Sequence, residues 1–175
     1  MVAVRALILG GTRSGKSAIA EEWALTLSGG SVLYVATALA HPDDPDLLRR
    51  IKEHRERRHP DWGLLELSDG SLDPVLEAAG AWDGMLLDSL TLWVSARVYG
   101  GEEGGTLEEF EWFVERVGRI REPVILVSDE VGLGLVPENA EGRRFRDLLG
   151  LINQRAAAAA EEVHLCVAGI AHRIK

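Results

Sequence analysis

Between Gly10 and Ser17 the chain reads GGTRSGKS, a G-x-x-x-x-G-K-S spacing directly behind the aliphatic run VRALILG. Glycines at these positions let the backbone curl until successive N–H groups point inward, and a helix starting at the end of the loop adds the positive end of its dipole. The product is an anion cradle. Lys16 is placed to reach β and γ phosphates, and the Ser17 hydroxyl to ligate Mg²⁺. A carboxylate at the end of a neighbouring strand must complete that shell. Two candidates fit the pattern: Asp88 behind GMLL, and Asp129-Glu130 behind VILVS. Either acid could equally be a helix cap.

A second cluster stands out against the acidic background. LLRRIKEHRERRHPDW carries Arg49, Arg50, Lys52, Arg55, Arg57 and Arg58 around His54. On a helix, Arg50 precedes His54 by one turn and Arg57 and Arg58 follow it by one turn, so all can share its face. Guanidiniums around an imidazole disfavour its protonation, which leaves a neutral nucleophile, and they also bind phosphates. A plain solvated charged helix would show the same composition. His41, His59, His164 and His172 have no metal-ligand spacing and read as surface or packing residues. Of the tryptophans, only Trp62 lies close enough to the basic helix to suggest stacking on a ligand.

These residues need strand ends and helix starts to hold them. Short aliphatic runs alternate with longer amphipathic segments, the rhythm of βα units around a parallel sheet. Strands are expected over 4–10, 31–37, 64–67, 85–87, 124–127 and 163–167. Helices are expected over 15–28, 45–59, 72–79, 90–99, 107–120 and 143–161. Gly29-Gly30 supplies a helix stop, Pro123 opens a strand, and GGEEGG at 100–105 reads as a plain linker. The expected fold is α/β and P-loop NTPase-like, with a mostly parallel central sheet flanked by helices.

With 175 residues, 46% hydrophobic and 27% charged, the chain has the size of a single domain spanning 1–175. A net charge of −9 argues against broad attachment to nucleic acid or to an anionic membrane. No uncharged run is long enough to span a bilayer, and the apolar start lacks a cleavage-site pattern, so a cytoplasmic location is expected. Cys166 is the only cysteine and sits in an apolar run, as a buried structural thiol would.

Taken together, GGTRSGKS, YVATA, RIKEHRERR with Trp62, LLDSLTLWVS, EVGLGLVPEN and RRFRDLLGLINQRAAAAAEEVHLCVAG resemble the bifunctional adenosylcobinamide kinase and adenosylcobinamide-phosphate guanylyltransferase family of cobalamin synthesis. The resemblance spans nearly the whole chain. It implies two reactions: phosphorylation of the adenosylcobinamide hydroxyl by ATP or GTP, then transfer of GMP from GTP onto that phosphate to give adenosylcobinamide-GDP. It further implies that His54 carries GMP between the two transfers.

The resemblance also implies nucleotide contacts at Gly10, Gly11, Thr12, Arg13, Ser14, Gly15, Lys16 and Ser17. Further contacts fall at Ala36, Thr37 and Ala38, at Arg55, Glu56, Arg57 and Arg58, and at Glu66 and Asp88, with Ser17 and Asp88 on the metal. A carboxylate such as Glu66 can accept from guanine N1–H and N2–H₂, a pair that adenine does not present; an exposed strand glutamate is the plainer alternative. The implied partners are adenosylcobinamide, its phosphate, the nucleotides and further copies of the chain as a homotrimer. Two positions depart from the family's usual pattern: Leu47 where methionine is expected, and Asp129 where asparagine is usual. On the phosphate loop alone, a hydrolase or switch and a non-catalytic nucleotide-binding module remain alternatives.

Overall fold

The computed structural model describes residues 4–37, 48–49, 51–52, 55–56, 59–67 and 70–175. Seven strands form one sheet: β1 (Val4–Gly10), β2 (Val32–Ala36), β3 (Gly63–Glu66), β4 (Gly84–Asp88), β5 (Val124–Asp129), β6 (Ala160–Val167) and β7 (Ile170–Arg173). Their spatial order is β3-β2-β4-β5-β1-β6-β7, and every neighbouring pair is parallel except the antiparallel β6–β7 hairpin. The helices are α1 (Lys16–Ser28), α2 (Asp73–Glu77), α3 (Leu90–Tyr99), α4 (Thr106–Val117) and α5 (Ala140–Ala159). Described positions 48–49, 51–52 and 55–56 are also helical. His59, expected at the end of that helix, lies beyond it in a turn that closes with the Trp62 N–H on the His59 carbonyl at 3.2 Å.

The central strands read as unbroken aliphatic runs because helices cover both faces of the sheet. Side chains alternate between them. Leu7 and Leu9 join Leu87, Leu126, Trp93, Phe110, Phe113 and Ile152 on the face packed by α2 to α5. Ala6 and Ile8 join Tyr34, Leu86, Ile125 and Val127 on the face covered by α1 through Ala20 and Ala24. In each core most of these side chains are fully buried. Burial of this kind is the main favourable term holding the layers together.

Several expected boundaries move, each for a local reason. Helix α1 starts at Lys16, because Gly15 takes a left-handed conformation (φ 90°) as its cap, and it stops at Gly29 in the same conformation. Helix α5 starts three residues before the expected Arg143, because Asn139 caps it, its side chain accepting from the Gly142 N–H at 2.8 Å. Its far end also differs: Ala160 and Glu161 belong to β6, where Ala160 pairs with Val4. Alanine favours helix on its own, so pairing with β1 overrides local propensity there. The antiparallel β7 was not expected at all. GGEEGG is no loose linker: the Glu102 N–H bonds the Arg97 carbonyl at 2.8 Å, and the Arg97 guanidinium bridges Glu102 and Glu109.

Candidate functional site

Parallel strands end on the same side, so their C-terminal ends line up along one edge of the sheet. Register places Glu66 beside Ala36, Ala36 beside Asp88, and Asp129 beside Gly10, which is itself beside Cys166. Crossing from β3 to β1 covers four inter-strand steps, about 19 Å at about 4.8 Å each. An extended nucleoside triphosphate can lie along such an edge. Residues separated by over a hundred positions in sequence thus become one row.

At the β1 end the phosphate loop is tightly built. A Cβ on Gly10 would sit 2.4 Å from Ser14 Oγ and 2.8 Å from the Cys166 carbonyl, so only glycine fits. Arg13 (φ 59°) and Gly15 (φ 90°) both take the left-handed conformation that turns the loop back on itself. The Ser14 N–H bonds the Gly11 carbonyl at 3.2 Å, while the Ser14 carbonyl accepts from Gly169 N–H at 2.8 Å, in the β6–β7 turn. The hairpin that sequence reasoning missed is therefore the brace behind the loop. The first intrahelical bond runs from Ile19 to Gly15, the cap residue offers no side chain, and the first turn carries no acid. Amides at the start of α1 are thus left for an anion, with the helix dipole behind them. Gly11, Thr12 and Arg13 are exposed at the mouth, and Ser14 Oγ is buried without a partner.

Lys16 Nζ pairs with Asp129 Oδ1 and donates to the Gly11 carbonyl at 3.1 Å. Asp129 is held from both sides: its N–H donates to Thr91 Oγ1 at 2.7 Å, and its carbonyl accepts from Asn153 Nδ2 at 3.0 Å. Neither Thr91 nor Asn153 stood out in the sequence, since nothing in their local pattern marks them as supports. The neighbouring Glu130 turns away, its Oε1 accepting from the Gly132 N–H at 2.8 Å.

Asp88 is no helix cap. That role belongs to Ser89, whose Oγ accepts from the Leu92 N–H at 3.3 Å. The Asp88 carboxylate instead receives the Tyr34 hydroxyl at 2.9 Å, from a tyrosine that is only 3% exposed. Beside it the buried Thr37 fastens β2 to β4: Thr37 Oγ1 donates to the Ser89 carbonyl at 2.6 Å and accepts from the Ser89 N–H at 2.9 Å. At the far end of the edge, Arg55 pairs with Glu66, and both side chains are about half exposed. Glu56 lies on the exposed side of its helical turn, paired along it with Lys52 at 3.7 Å. His54, Ala38, Arg57 and Arg58 lie outside the described residues.

The remaining candidates are structural. Trp62 is buried between Tyr34 and His59, each ring centroid 6.3 Å from its own, as a packing residue among the described residues. His164 is buried edge-on against Trp23 at 4.4 Å and bonds Glu162 at 3.2 Å. Cys166 is buried, which pushes its thiol above the ordinary range; the nearby Lys16 charge pulls back less.

Among the described residues no three or more His, Cys, Asp or Glu side chains are grouped to hold a metal by themselves. The donors along the edge are hard oxygens: the Ser17 hydroxyl at the start of α1 and the Asp88 carboxylate, on a strand against which α1 packs. Such a set suits Mg²⁺, which keeps few protein ligands and takes the rest from phosphate and water.

The family model described as cobinamide kinase / cobinamide phosphate guanyltransferase matches residues 6–174. The chain is 40% identical to the bifunctional adenosylcobalamin biosynthesis protein CobP of Pseudomonas aeruginosa, over 98% of each chain. It is 38% identical to CobU of Salmonella typhimurium and 37% identical to CobU of Escherichia coli, both of the same bifunctional description. In each case the match covers 97% of this chain and 98% of the relative. Among solved structures, the flagellar accessory protein FlaH of Methanocaldococcus jannaschii superposes with a TM-score of 0.56 at 16% identity, over 99% of this chain and 79% of that one. That likeness concerns the fold.

Proposed function

Because the chain belongs to the cobinamide kinase / cobinamide phosphate guanyltransferase family, we propose that one nucleotide site along the sheet edge serves two transfers to a corrinoid. The substrates are adenosylcobinamide, its phosphate, and GTP or ATP. The observation that carries this reading is the row itself: a phosphate cradle at β1, the Asp88 carboxylate at β4 and the Glu66–Arg55 pair at β3.

In the kinase step the cobinamide hydroxyl oxygen attacks the γ-phosphorus, the nucleoside diphosphate leaves, and the hydroxyl proton passes to solvent or a nearby base. In the guanylyl step the His54 imidazole attacks the α-phosphorus of GTP, forming an N–P bond as the bond to pyrophosphate breaks. A cobinamide phosphate oxygen then attacks the same phosphorus, the N–P bond breaks, and adenosylcobinamide-GDP departs while the imidazole is restored. Loop amides hold the phosphates in line, and Lys16 offsets charge building on the leaving oxygens. Arg50, Arg57 and Arg58, one turn from His54, would keep it neutral, and Arg55, Arg57 and Arg58 would grip the phosphate it attacks. Glu66 accepts from guanine. Ser17 and Asp88 would hold a Mg²⁺, which would supply further neutralisation of phosphate charge. We further propose that the chain works as a homotrimer in the cytoplasm; no helix among the described residues is long and apolar enough to cross a membrane.

The test is covalent labelling. GTP carrying label at the α-phosphate should leave an acid-labile, base-stable label on the chain and none on His54→Ala. Label retained by His54→Ala would move the nucleophile elsewhere. Absence of label on both proteins would favour a hydrolase or a passive nucleotide-binding module.

A further inference from the structure

Asp129 has a task that the two transfers do not require of it. Its carboxylate sits at the end of β5, beside Gly10, and pairs with the one ammonium that a triphosphate needs. The Lys16 side chain is 13% exposed and that of Asp129 is 22% exposed, so the pair is largely shielded from water and from salt. Thr91 and Asn153 fix the Asp129 backbone on both sides, which keeps the root of the carboxylate beside the loop. It carries the same sign of charge as the phosphates that would lie over the loop.

We infer that Asp129 is the resident counter-ion of Lys16, which a triphosphate must displace, and that it makes nucleotide binding depend on a divalent cation. The inference rests on the proposed nucleotide site. When β and γ phosphates take Lys16, the Asp129 carboxylate is left beside them, and their repulsion weakens binding unless a cation offsets it. An asparagine there, as the resemblance leads one to expect, imposes no such penalty. Asp129 acts through Lys16 and is a positioning residue.

The test is equilibrium binding to Asp129→Asn, with Asp129→Ala as a second charge-removing variant and thermal melts to verify folding. GTP in the presence of EDTA should bind either variant about fivefold more tightly than the wild-type chain, the scale of one partly shielded ion pair. With excess Mg²⁺ the gain should shrink, and GMP, which lacks the phosphates that reach Lys16, should bind all three proteins alike. Unchanged or weaker GTP binding in EDTA would overturn the inference, as would equal tightening of GMP. Loss confined to Mg²⁺–GTP would also overturn it, and would make Asp129 a metal ligand. If the wild-type chain binds no GTP under any condition, the proposed function fails instead.

Discussion

The two ends of the site edge are built differently. At the β1 end the phosphate loop is pinned by the β6–β7 turn, by a glycine that no side chain could replace, and by a shielded ion pair. At the β3 end Arg55 and Glu66 face each other on half-exposed surface, on a strand of four residues at the margin of the sheet. The triphosphate is common to ATP and GTP, so its grip can be rigid. On the proposed function, choice of base and transfer of GMP to a second substrate fall where the edge opens to solvent. Rigidity is therefore concentrated where the ligand is invariant.

The harshest way to break this contrast is Lys16→Ala. If one phosphate grip serves both transfers, kinase and guanylyl rates should each fall by about 10²–10³-fold, the scale of losing one preorganised charge contact in a reacting site. Paired rate measurements check it, and intact guanylylation beside a lost kinase step would mean two separate sites. Glu66→Gln should sharpen it from the other end. Losing a charge-assisted contact to guanine should cut the preference for GTP over ATP by about tenfold. Competition binding reads this, and loss of both nucleotides equally would assign Glu66 to holding Arg55 alone.

The smallest effect is expected away from both ends, at Glu162, which pairs with Ala6 four positions back along β1 from the loop. The hydrogen bond from His164 holds the Glu162 carboxyl below its ordinary value of 4.5, with Arg173 and Arg5 helping and partial burial opposing. A carboxylate with a lowered folded-state pKa stabilises the fold above its unfolded value, and that stability is lost as pH falls through the folded value. Chemical denaturation from pH 7 to pH 3 should therefore show wild type and Glu162→Gln converging at the acid end. Both proteins should bind GTP alike at pH 7, which makes this variant the control for the two site variants.

Much of the positioning was legible in the sequence because it is local. The phosphate loop announces itself in eight residues, and continuous apolar runs mark β1, β2, β4 and β5 as buried on both faces. What stayed hidden depends on distant partners. The Tyr34 hydroxyl on Asp88 spans 54 positions, and Asn153 on Asp129 spans 24. The hairpin behind the loop was masked because AGIAHRI has neither the length nor the alternation of a convincing strand. Ala156–Ala160 looked like uninterrupted helix because only pairing with Val4 reveals where β6 begins. The tie of Thr37 to Ser89 likewise has no signature outside three dimensions.

Strand β1 is made first, yet both of its neighbours, β5 and β6, come from the last third of the chain, and its loop is closed by Gly169. During synthesis the aliphatic stretch before the glycines must wait about 120 residues for β5 on one side and more than 150 for the whole of β6 on the other. Long-range closure of this kind slows folding. It also means that the loop between β1 and α1 gains its brace only after the turn that follows β6 has been made.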